Sequence, residues 1–180
     1  MRPPYLISFQ PDQNMTSQTM TTNSPTPDAS TWLPLLRTRN ELAPVALRLT
    51  LALVMLPHGA QKALGLFGGY GWTGTMGFLT ESVGLPSPLA AGIILFELIG
   101  PLLLLLGLGT RLVSLGFVGL MLGAVATVHA QYGFFMNWGG SQAGEGFEYH
   151  LLMIGSALAL ALVGAGRWSM DLWLVQREQA

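Results

Sequence analysis

Apolar positions in this chain gather into four long blocks separated by short stretches rich in glycine, proline and aromatic residues, and a polar leader precedes them. The blocks cover about Ala43–Leu64, Ser87–Leu108, Thr110–Tyr132 and Glu148–Gly164. At ~1.5 Å rise per residue the first spans roughly 33 Å, which matches a hydrocarbon core of about 30 Å. Within the blocks the apolar residues run nearly unbroken, without the strict alternation of a half-buried strand. The pattern predicts an all-α fold, an integral membrane four-helix bundle whose short connections make successive helices antiparallel.

Polar spacing divides the rest of the chain. Residues 1–41, rich in Thr, Ser, Pro, Gln and Asn, are expected to form a disordered cytoplasmic tail ahead of a bundle over 42–174, with a short C-terminal tail over 175–180. Met15 and Met20 are alternative translation starts to Met1. The glycine-rich stretch GLFGGYGWTGTMGF, Gly65 to Phe78, matches neither phosphate-loop pattern and follows no strand. Its aromatic residues suit the membrane interface, as a surface loop or re-entrant segment or, alternatively, as a lid over a site. In the third block Gly119 and Gly123 form a G-x-x-x-G, expected to be a helix-packing seam.

Composition agrees with a lipid environment: hydrophobic residues make up 51% and charged residues only 9%, against about 25% charged in an ordinary soluble domain. The net charge of −1 and the scattered basic residues give no face for nucleic acid. Cysteine is absent, which removes disulfides, thiolate ligands and thiol nucleophiles from the chemistry of this chain. Arg37, Arg39, Arg111, Arg167 and Arg177 fall on one side of a four-span topology and Lys62 toward the other. The excess of arginine places both termini in the cytoplasm.

Ionisable groups inside such helices are costly and mark sites by default. The first block carries Arg48, His58, Gln61 and Lys62, the second Glu97, the third His129, and the fourth opens with Glu148 and His150. Counting depth at ~1.5 Å per residue, with each span starting level, brings His58, Lys62, His129, Glu148 and His150 to the outer leaflet, above a midplane Glu97 and a deeper Arg48. The polar groups therefore converge on a pocket open to the outside. Glu97 is expected to couple to the first span, Arg48 and His58 being its nearest bases in depth. A packing role remains open for each: Glu97 as a neutral hydrogen-bonded acid, His129 as a histidine bonded to a neighbouring helix. Three histidines raise a metal or haem reading, but Lys62 stands among them and Glu148 and His150 lie two apart on nearly opposite helix faces, so no metal is expected.

Several motifs recur in order: Arg48, HGAQK (His58–Lys62), GGYG (Gly68–Gly71), FELIG around Glu97, GLGTR ending at Arg111, VHAQYGFF from Val128, GFEYHLL from Gly146 and GRWSMD ending at Asp171. On these the chain resembles the DoxX family of small bacterial membrane proteins over about Leu42–Leu172. Members of that family have four membrane helices. Some are subunits of thiosulfate:quinone oxidoreductases, and others belong to membrane complexes that manage oxidative or thiol stress. The resemblance implies a redox-associated subunit in the bacterial inner membrane, active with a partner protein subunit rather than alone. Two readings follow. In the first, a quinone-facing or small-molecule pocket uses His58, Lys62, Glu97, His129 and Glu148 as candidate catalytic groups and Arg48, Gln61 and His150 as candidate binding groups, with the cofactor left open and quinone a candidate. In the second, a non-enzymatic scaffold or small transporter, free to oligomerise, uses its buried charges for packing or proton coupling.

Overall fold

The computed structural model describes residues 36–178; of the tail expected over residues 1–41, residues 1–35 lie outside them. Among the described residues every regular element is helical. Four long helices form the body: α1 (Ala43–Leu64), α3 (Ser87–Leu106), α4 (Thr110–Ala124, continued by a wide π-type turn over Val125–His129 and a tight turn over Ala130–Tyr132) and α5 (Glu148–Val163). Between α1 and α3 lies a short helix, α2 (Gly71–Gly77), itself continued by a π-type turn over Phe78–Ser82, and α6 (Met170–Glu178) ends the chain. Ala43–Leu64, Ser87–Leu106 and Thr110–Tyr132 are long and apolar enough to cross a membrane, whereas α5 is a shorter apolar helix of 16 residues, about 24 Å long. The protein is a membrane helical bundle.

The helix ends follow from local chemistry. Pro44 occupies the first turn of α1, where its missing N–H costs nothing. Gly65 and Gly107 close α1 and α3 in the left-handed conformation. Helix α1 packs closely on α3, and α4 on α5, with a lighter α1–α5 contact holding the two pairs together. The core draws on all four long helices: Leu51, Ala52 and Met55, then Leu104, then Val113, Phe117 and Met121, then Met153, Ala157 and Leu160. Many other apolar residues face outward, Leu53, Leu152 and Leu162 among them, as a lipid-facing surface requires.

At the end of the bundle where α1 begins and α6 lies, arginines meet the carbonyls of helix ends. The buried Arg48 guanidinium donates to Leu104 O (2.9 Å) and Leu105 O (2.7 Å) at the end of α3, and to Arg167 O (3.2 Å) and Trp168 O (2.7 Å) in the turn before α6. Arg111 does the same for α5, donating to Ala161 O (2.6 Å) and Leu162 O (2.7 Å) as well as to Arg37 O. Asp171 completes the lock by accepting from the N–H groups of Gly109 (2.7 Å) and Thr110 (3.0 Å), the orphan donors that open α4. Burial pushes the Asp171 carboxyl above its usual range, against the pull of those donors and of Arg48. Trp168 holds φ +52°, a left-handed conformation unusual for a bulky residue, and its carbonyl is one of the two that Arg48 collects in that turn. Residues 37–41 lie against the turn after α5: Thr38 Oγ1 accepts from Gly166 N–H and Glu41 O from Arg167 N–H. Helix α6 takes in residues 175–178 of the stretch that reads as a tail.

Candidate functional site

The other end of the bundle is built on a close approach. Gly59 faces the backbone of α3 at Glu97 and Leu98 so tightly that a Cβ there would overlap the Glu97 carbonyl. Glu97 is thereby level with Gly59, and Lys62 lies one turn further along the same face of α1. Side chains on a helix lean toward its N-terminus, so the lysine reaches back toward the carboxylate. Lys62 Nζ meets Glu97 Oε1 at 2.6 Å. The coupling expected between Glu97 and the first span is present, but its partner is Lys62, not Arg48 or His58. Starting every span level was the error. Helix α3 ends beside Arg48, several residues inside α1, which raises Glu97 toward Lys62 and leaves Arg48 with carbonyls.

This ion pair is lopsided. The Glu97 side chain is 2% exposed and that of Lys62 42%. Glu97 Oε2 is buried without a partner. Carboxylates have about four lone-pair sites, so one answered oxygen leaves half the group's capacity unused.

Next to the pair, α3 and α4 diverge. They are joined by the turn over residues 107–109 and touch through the Phe96 and Phe117 rings, 4.9 Å apart. Gly116 lies under the Phe96 ring. Beyond that contact a cleft of about 600 Å³ opens between them, walled by apolar residues of both helices and roofed by α2 and its π-type turn through Thr75, Phe78 and Leu79. Lys62, Glu97 and His129 line it. Thr75 Oγ1 donates to Lys62 O (3.1 Å), tying the roof to the lysine. Both π-type turns border the cleft, the second carrying His129. Such wide turns recur at functional sites because they re-aim side chains.

The remaining candidates separate into two groups. The His129 and His150 rings are stacked at a tilt, centroids 4.1 Å apart. His129 Nδ1 lies 2.9 Å from Glu145 O, and the buried His150 Nδ1 has no partner. His58 is exposed, within electrostatic range of His150, Lys62 and Glu97. Among the described residues no three His, Asp or Glu side chains are grouped as metal ligands would be. Elsewhere, Glu148 accepts from Met136 N–H (2.9 Å) and Trp138 Nε1–H (3.4 Å), shaping the loop over residues 133–147 rather than the cleft. Gln61 donates to Phe67 O (3.2 Å) and fixes the turn after α1. Arg48 belongs to the opposite end.

Reading the sequence alone misses the apolar part of the site. Gly119 and Gly123 form no packing seam with another helix among the described residues: a Cβ at either meets nothing within 4 Å, and both line the cleft. Phe96 and Gly92 complete the same wall. The aromatic, glycine-rich stretch after α1 supplies the roof.

Comparison with known proteins places these features in context. The family model described as DoxX matches residues 43–130. "Putative oxidoreductase CatD" of Bacillus subtilis (strain 168) is 33% identical over 131 residues, covering 73% of this chain and 86% of that protein. No solved structure matches the chain.

Proposed function

The chain belongs to the DoxX family, and we propose that it is a redox-associated membrane subunit whose cleft between α3 and α4 binds a quinone-class molecule. One observation carries the reading: an apolar cleft lined by a half-exposed ammonium, a buried carboxylate with a free oxygen and an imidazole. A quinone head presents two carbonyl oxygens that need donors and, on reduction, protons. Lys62 supplies a donor and a positive charge for the oxygen that becomes anionic. Glu97 and His129 are the groups that exchange protons there. Two electrons and two protons convert quinone to quinol; with no cysteine in the chain, the electrons come from a partner subunit. The relative's name, which speaks of an oxidoreductase, supports this class of chemistry.

The same reading sets the protein in the bacterial plasma membrane with both termini in the cytoplasm, supported by Arg37, Arg111 and Arg167 at one end and Lys62 toward the other. Equilibrium binding of a tritiated quinone to the purified protein in lipid nanodiscs tests the proposal. Saturable binding that Lys62→Met weakens on the order of tenfold, the loss of one charge-assisted hydrogen bond, supports it. No saturable binding by the wild type contradicts it and favours a scaffold or transporter whose ion pair serves packing.

A further inference from the structure

Resting on that reading of the site, we infer that its ligand must carry a long apolar tail, and that the tail lies along the Gly92–Gly119–Gly123 wall and enters sideways from the bilayer. The head-group contacts Lys62 and Glu97 lie at the Phe96 end of the cleft, and His129 lines it further along α4. The rest is apolar, and its volume of about 600 Å³ is that of a pocket for a drug-sized ligand, more than a single quinone ring fills.

The wall is open where a tail would have to pass. Gly92, Gly119 and Gly123 are exposed, as are Leu89 and Thr127 beside them. They belong to two helices that are long and apolar enough to cross a membrane, so the opening faces lipid at hydrocarbon depth rather than water. Exposed glycines cost a membrane helix some rigidity and give it no packing here, since nothing lies within 4 Å of a Cβ at any of the three. Space beside them is what their missing side chains provide. Gly116, by contrast, is filled by the Phe96 ring, which closes the cleft beside Glu97 and leaves a tail to run the other way, past Gly119 and Gly123. The buried, unpartnered Glu97 Oε2 fixes the polar end. A molecule with a polar head and an isoprenoid tail fits this order of surfaces; a soluble substrate leaves the apolar wall unused.

The test compares two tritiated probes, an isoprenoid quinone and the same ring without its tail, on the full chain in nanodiscs. Gly119→Leu and Gly123→Leu fill the wall without meeting another group, so both variants are expected to fold. They should weaken the tailed quinone on the order of tenfold, from the apolar area withdrawn, and leave the tailless ring unchanged. Lys62→Met should weaken both probes. If both probes bind the wild type and the leucine variants affect them equally or not at all, the tail assignment is overturned while the quinone reading stands. Should neither probe bind, both fall. Competition by a phospholipid with matched chains as strong as by unlabelled quinone would assign the wall to lipid and overturn the inference. A change of oligomeric state in the leucine variants, read by native mass spectrometry, would do so too, by making the wall an interface between copies.

Discussion

The two ends of this bundle hold similar charges in opposite circumstances. At the end where α1 begins, Arg48 is buried and its guanidinium meets four backbone carbonyls, while Asp171 meets two backbone N–H groups. At the far end, Lys62 and Glu97 meet each other, and a carboxylate oxygen and a histidine nitrogen beside them are left open. Backbone partners cannot leave, so the first arrangement is permanent and serves the fold. The second keeps capacity in reserve next to a cleft. Burial of a charge is therefore a poor guide to function in a membrane bundle, and so is one unmet atom, since Arg48 Nε is also buried without a partner; what distinguishes the site is an unanswered acceptor beside a cleft.

Breaking the Arg48 end should cost the most. Arg48→Met removes the side-chain donors of four carbonyls from two segments, of which Leu104 O keeps the Gly107 N–H, and should destabilise the protein by about 4 kcal/mol in detergent unfolding. Arg48→Lys should rescue only part of this, because an ammonium cannot reproduce the planar fork. At the far end, Lys62→Met leaves Glu97 buried and unpaired, a cost of about 3 kcal/mol, moderated by the exposure of the lysine. Pairing it with Glu97→Gln should cost less than the sum of the single changes; strict additivity would deny the coupling.

Asp171→Asn should be milder, about 2 kcal/mol, since the amide keeps one acceptor oxygen. Its pH dependence has a defined sign. Burial holds the Asp171 pKa above 3.8 in the folded protein, so on acidification the folded state takes up the proton before the unfolded chain does. Stability then rises as pH falls toward 3.8, and the gap between wild type and Asp171→Asn should widen in that window. The smallest effect belongs to Gln61→Ala, an exposed turn contact at neither end's core, expected to change stability by less than about 0.5 kcal/mol.

Much of the fold was legible because lipid imposes a simple rule. Ala43–Leu64 and Thr110–Tyr132 have the limits that their apolar runs indicate, and α3 and α5 stop within two residues of theirs. The site was legible only in its polar half. Depth counting assumes helices that start level, and the offset of α3 against α1 follows from tertiary contacts, Gly59 against Glu97 and Arg48 against Leu104, that no periodicity encodes. The G-x-x-x-G pattern states that a helix face is flat, not what lies on it. Gly116 and Gly119 are three residues apart, yet one is covered by Phe96 and the other is bare. Glu148 looked like a member of the polar cluster because loops do not announce their own hydrogen bonds; its carboxylate is taken up by Met136 and Trp138.

The contrast between the ends is tested most directly by photolabelling. A photoactivatable isoprenoid quinone, irradiated with the protein in nanodiscs and mapped by peptide mass spectrometry, should mark α3 from Leu89 to Glu97 and α4 from Gly116 to His129. Lys62→Met should reduce the label there. Labelling spread evenly over the lipid-facing residues, or concentrated on the segment around Arg48 and Asp171, would contradict the account.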